Sequence, residues 1–319
     1  MKVKTLLLFL VCAVIPAVLL GATKNGFDVS DALIPEEEIF SGGPPRDGIP
    51  AIYQPVFESI EEATWLRSTD RVLAVEINGA ARAYPIRILD WHEIVNDKIG
   101  DQYFAVTYCP LCGTGVVFAT NAGEGALLFG VSGLLYNSDV LLYDSYSESL
   151  WSQILGKAIS GPLKGTVLPD LAVTHTSWEK WLKQHPETKV LSRETGINRY
   201  SQGGPRDYRR GPYDGYEKSR YIRFKVSHTA PKTYHPKERV IGIEVDGVFK
   251  AYPFKELSKQ GVAEFNDQIA GNTLLIEWDE EAQSSSVRDE AGKLLPTITG
   301  FWFAWYTFHP ETEIFTAPR

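Results

Sequence analysis

The sequence predicts a β-rich α+β fold with mainly antiparallel sheets and few short helices, built from an internal duplication. Three observations predict it. Val72–Ile77, Asn78-Gly79 and Ala80–Pro85 form two β-forming runs around the dipeptide that best makes a two-residue hairpin turn. The same pattern returns 168 residues later as Val240–Val245, Asp246-Gly247 and Val248–Pro253. Helical periodicity is confined to short stretches around Ile88–Asn96, Trp178–Gln184 and a turn at Phe254–Lys259.

From the N-terminus, Lys2 and Lys4 precede an apolar run from Thr5 to Leu20, followed by Gly21-Ala22. This reads as an export signal over residues 1–22, or as an uncleaved membrane anchor, because the run is short for a span of about 20 residues. The expected location is periplasmic or extracellular. Cleavage would remove two of the 32 basic side chains and leave 30 against 40 acidic ones, a net charge of −10. Such a chain is a poor partner for nucleic acid, and only the N-terminal segment would meet a membrane. Cleavage would also remove Cys12 and the one methionine, which excludes a thioether copper site.

Residues 23–60 read as an irregular lead-in, dense in turn formers from Ser41 to Pro50. Residues 61–197 make the first half, 198–234 a Tyr-, Gly- and Arg-rich connecting loop, and 235–319 a second, degenerate half. Each hairpin precedes a short helix, then Asn96-Asp97 or Asn266-Asp267, then a strand (Tyr103–Tyr108 or Thr273–Trp278). Trp178, Trp181 and His185–Thr188 recur as Trp302, Trp305 and His309–Thr312. The first half is longer by about 44 residues, which follow its central strand and read as β-structure: Gly115–Thr120, Ala126–Ser132, Leu134–Asp139, Val140–Asp144 and Leu150–Gln153.

A duplication separates scaffold from chemistry. What recurs in both halves is scaffold; what stands in one is a candidate site. Cys109 and Cys112, in Thr107-Tyr-Cys-Pro-Leu-Cys-Gly-Thr114, occur only in the first half, where the second has Asp279. His92 is likewise unmatched, its counterpart being Gln260 or Val262. Two thiols at this spacing can chelate a soft metal, cycle as a redox pair or staple a loop. The staple is weak, since a four-residue loop gains little from closure. Redox chemistry usually wants a helix after the motif, whereas Gly113–Phe118 reads as strand. The leading reading is a zinc or copper site with Cys109, Cys112 and His92 as ligands, and Asp139, Asn137 or His235 in support. The alternatives are a thiol–disulfide protein and a non-enzymatic ligand or glycan binder. Asp139 and Asp144 also admit an acid–base pair of the glycosidase kind, against turn and solvated-strand roles. His185 and His309 recur in both halves and read as helix-end residues. Gly113-x-Gly115 lacks the third glycine of a dinucleotide site, and no serine sits in a nucleophile elbow.

The runs Trp91–Asp97, Thr107–Thr114, Tyr136–Asp139 with Tyr143-Asp144, and Glu148–Gln153 resemble the bacterial and archaeal family DUF3179, from about Ser41 to at least His235. The resemblance implies no activity, so the expected function rests on the residues.

Overall fold

A computed structural model describes residues 22–122, 125–197 and 206–318. The proposed export signal up to Gly21, the tip of the turn at 123–124 and the first part of the connecting loop (198–205) lie outside the described residues. The fold is β-rich and mainly antiparallel, with four short α-helices. No described helix is long and apolar enough to cross a membrane.

The first hairpin pairs Arg71–Ile77 with Ala80–Pro85, and the second pairs Arg239–Val245 with Val248–Pro253. Asn78 and Gly79, like Asp246 and Gly247, all have positive φ, the geometry that asparagine, aspartate and glycine accept at least cost. Each hairpin runs into a seven-residue helix, α1 (Ile86–His92) or α3 (Phe254–Gln260), and then into a second hairpin. Two more seven-residue helices, α2 (Trp178–Gln184) and α4 (Trp302–Phe308), follow later. Side chains match as well. Tyr84 donates to Asp97 and Tyr252 to Asp267. Trp181 Nε1 donates to Thr188 Oγ1, and Trp305 Nε1 to Thr312 Oγ1, both at 2.9 Å.

Three elements differ from the sequence expectation. Helix α1 ends at His92 rather than Asn96, because Glu93 takes φ +58° and the β-branched Ile94 and Val95 continue as strand Ile94–Ile99. The lead-in contributes strand Ile39–Ser41, which extends the sheet of the first-half insert. Within that insert, Phe129–Tyr136 is one strand despite Gly133, since a register shift between Val131 and Leu134 absorbs the irregularity. The true turn is Asn137-Ser138, with Asp139 opening the next strand, Asp139–Asp144.

The halves share one sheet. Strand Ile298–Phe301 of the second half meets Thr114–Ala119 of the first at Thr299 and Gly115. Within the second half the packing is close: a Cβ on Gly242 would overlap the Trp305 ring. Gly242→Ala should therefore cost about 1–3 kcal/mol through overpacking, read by urea denaturation.

Candidate functional site

The site is built at the end of strand Gln102–Cys109. Residues Pro110–Gly113 turn the chain back into Thr114–Ala119, with Cys112 N donating to Cys109 O at 3.2 Å. Gly113 has φ +64°, and a Cβ there would meet the Phe301 ring at 3.0 Å, so the turn needs glycine twice over. Phe301 N donates to Cys112 O, tying the second half to the turn.

Both cysteines are free thiols, and both are buried. The insert supplies the third group. Its buried Asn137-Ser138 turn places the Ser138 carbonyl 3.8 Å from Cys109 Sγ and sets Asp139 beside the thiols. Ligand atoms of Cys109, Cys112 and Asp139 all lie within 4.8 Å of one another. Asp139 Oδ2 accepts from Ile154 N at 3.2 Å, and Oδ1 lies 3.3 Å from Thr114 Oγ1. Thr114 has one hydroxyl proton and a shorter contact, 2.7 Å, with Gln153 Oε1. Its contact with Asp139 is therefore filled best by a protonated carboxyl that donates.

Electrostatics agree with that protonation. Burial pushes Asp139 up to about 7, against hydrogen bonds that pull it down. Burial also raises both thiols, and for Cys112 the neighbouring Cys109 thiol and Asp139 add to it. Glu93 is buried and pushed up to about 8, by burial first and then by the charges of Asp139 and Asp90. Asp90 rises to about 7 through burial, Asp214 and Glu217. In this region carboxyls and thiols gather without a cation of their own among the described ion pairs.

Of the expected residues, Cys109, Cys112 and Asp139 come together. His92 lies elsewhere: its Nδ1 is 2.8 Å from Pro50 O and its Nε2 2.7 Å from Tyr208 Oη. Burial holds it down at about 4, so it is neutral at physiological pH. His235 is outside the group, with Nδ1 accepting from Lys237 N. Asn137 acts through the turn, its Oδ1 accepting from Ser227 N at 2.7 Å. Asp144 is not paired with Asp139. The two occupy opposite faces of one strand, and Asp144 accepts from Ser147 and from Trp151 Nε1. From the connecting loop, Tyr216 belongs to the same apolar cluster as Cys109 and Cys112, and Tyr213 packs against that cluster.

Glu93 is the residue that sequence reasoning missed. It holds φ +58°, ψ −31° at the end of α1, where α3 ends in Gly261 at φ +68°. A strained glutamate where the matching helix uses glycine is the signal that a closer comparison of the halves contains. Its backbone carbonyl accepts from Tyr108 N at 2.7 Å, fixing the helix end against the strand that delivers Cys109. Glu93→Gly should make the metal-free protein more stable by about 1 kcal/mol or more at pH 7, measured by urea denaturation, through relief of strain.

Fold and site together define a β-rich α+β protein with a buried dithiol–carboxylate group. The chain belongs to the family described as Protein of unknown function (DUF3179), whose model matches residues 46–312. No curated protein and no solved structure matches it.

Proposed function

We propose that the protein binds one metal ion through Cys109, Cys112 and Asp139. The observation that carries this reading is the meeting of two free thiols and a carboxyl, all buried, with ligand atoms within 4.8 Å. Burying three acidic groups without a cation is costly, and a divalent ion would allow all three to ionise. Two sulfurs and an oxygen suit zinc; the carboxylate makes the set harder than Cu(I) prefers. Glu93 is the further carboxyl whose charge couples to Asp139. A fourth position left to Glu93 would close the site, and one left to a substrate or water would make it a Lewis acid.

The redox reading is weaker. A reactive thiolate needs a lowered pKa, and burial beside carboxyls raises both thiols. Two broader proposals accompany the metal site. The halves arose by duplication, a reading supported by the shared order of hairpin, seven-residue helix and hairpin and by the repeated Trp–Thr and Tyr–Asp bonds. In that alignment Asp279 and Ala282 stand for Cys109 and Cys112, which confines the chemistry to the first half. Export is the second, resting on the charged and apolar N-terminal run.

Elemental analysis of protein purified without chelator tests the site. The expected result is about one zinc per chain, lost in Cys109→Ser and Asp139→Asn and kept in His92→Ala. Full metal content in Cys109→Ser would overturn the reading, as would a wild type that takes up none on zinc reconstitution.

A further inference from the structure

A second group of buried polar atoms lies where the halves meet. Arg71 and His175 share one face of a sheet: Arg71 stands opposite Ser177, and His175 opposite Leu73, in the antiparallel pair Arg71–Ile77 and Thr174–Ser177. The second half brings Arg239 to the same place. It holds the position in its hairpin that Arg71 holds in the first, so two like charges face each other across the junction.

Neither Arg71 nor His175 is satisfied there. Arg71 donates to two backbone carbonyls, those of Ala282 and His175, and its buried Nε has no partner. Among the described residues no carboxylate forms an ion pair with it. His175 is 5% exposed, and both of its ring nitrogens lack a partner. The edge of the Tyr108 ring closes over the imidazole at a centroid separation of 6.4 Å. A buried guanidinium with no counter-ion and an imidazole bonded to nothing are both costly, and native interiors rarely leave such groups idle.

Arg71 and Arg239 border a cavity of about 520 Å³ that is lined also by the hydroxyl-bearing Ser68, Thr69 and Ser177; His175 is not part of that lining. Its other charged groups mostly neutralise one another. Lys180 pairs with Asp279 at 2.6 Å, Lys183 with Glu179 at 3.0 Å, and Arg239 with Glu217 at a loose 3.5 Å. Glu281, exposed at the rim, is the one acid of the lining outside these pairs. Acidic and basic groups of the lining are therefore equal in number, and Arg71 is the base without a carboxylate partner.

We propose that Arg71 and Arg239, with the hydroxyls of Ser68, Thr69 and Ser177, form a binding site for a small oxyanion, with inorganic phosphate as its simplest member. Such an anion accepts from the guanidinium N–H groups and from the hydroxyls of the lining, and its charge relieves the repulsion between the arginines. The electrostatics point the same way. Burial, and then Arg239, pulls the Arg71 guanidinium down to about 9. Burial, and then Arg71 and Arg239, holds the His175 imidazole well below its usual range. An anion at the junction would reverse the arginine contributions.

The test is thermal unfolding of the full chain in rising inorganic phosphate, with sodium chloride at matched ionic strength as control and acetate as a carboxylate probe. The expected result is a saturable rise in Tm with phosphate that chloride does not reproduce. A comparable rise with acetate would identify the ligand class as carboxylates too. Arg239→Gln should abolish the rise; its side chain is 29% exposed, so the fold tolerates the change, whereas Arg71→Gln also breaks the contact to Ala282. Equal stabilisation by chloride would overturn the proposal, and so would an undiminished phosphate response in Arg239→Gln. Cys109→Ser should keep the phosphate response, which separates this site from the metal site.

Discussion

Metal-free protein should lose about 2 kcal/mol of stability between pH 6.5 and pH 8, and one equivalent of zinc should reduce that loss. The sign follows from two opposed sets of buried groups. Glu93 moves from 4.5 to about 8, Asp90 and Asp139 from 3.8 to about 7, and Asp170 from 3.8 to about 6. These carboxyls stay protonated in the folded chain while the unfolded chain ionises, so their contribution declines as pH rises through each folded value. His92 and His309 move the other way, from 6.5 to about 4, and His175 lies well below 6.5. The unfolded chain protonates them first, so their contribution is lost as pH falls below 6.5. Below that pH, four carboxyls and three imidazoles largely offset one another. Above it only carboxyls remain, and Glu93 dominates. Zinc at Cys109, Cys112 and Asp139 would replace the protons and stabilise the ionised set. Urea denaturation at half-unit pH steps, with chelator and with zinc, reads both curves. A level metal-free profile from pH 6.5 to 8 would show that these carboxyls ionise freely in the folded protein.

Asp144→Ala should cost about 3 kcal/mol or more and leave metal content unchanged, whereas Asp139→Asn should abolish metal binding and stabilise the metal-free chain at pH 8. The two aspartates sit five residues apart, on opposite faces of one strand. Asp144 accepts from Ser147 N at 2.6 Å, Ser147 Oγ at 2.7 Å and Trp151 Nε1 at 2.9 Å. Its removal strands an indole N–H in the core, where Trp151 is fully buried. Asp139 has weaker partners and a carboxyl whose ionisation in the core is costly, so an amide of the same shape removes a liability while deleting a proposed ligand. Denaturation midpoints and elemental analysis on both variants separate the roles. Metal loss in Asp144→Ala, with the fold intact, would contradict this division.

The hairpins were legible because Asn78-Gly79 and Asp246-Gly247 dictate turn geometry locally. Cys109 and Cys112 were legible because they form a Cys-x-x-Cys turn that the proposed second half lacks. Asp139 was visible as a supporting candidate only, since a strand residue shows its partners only once the register is known. What placed it beside the thiols is the Asn137-Ser138 turn, where two residues other than glycine adopt positive φ. That turn chemistry carries a weak sequence signal, and the sequence pattern continues as strand through it. His92 misled for a related reason. Chain order puts it near the strand end, but α1 stops at its ring and directs it toward Pro50 and Tyr208. Tyr208 belongs to a loop more than a hundred residues away, and no local pattern announces such a partner.

The depth of the dithiol–carboxylate group sets a timetable. Cys109 and Asp139 are each 1% exposed and Cys112 is 0% exposed. An ion held there cannot be handed over by ligand exchange at the surface; it leaves only when part of the fold opens. Residence would then be governed by the opening rate of the turn, the insert hairpin and the tyrosine-bearing loop, rather than by intrinsic affinity. Such a centre is filled most readily while the chain is still folding. Under the proposed metal site, the supply that matters would be the one present during maturation, and the finished protein would retain its ion more as a permanent component than as cargo.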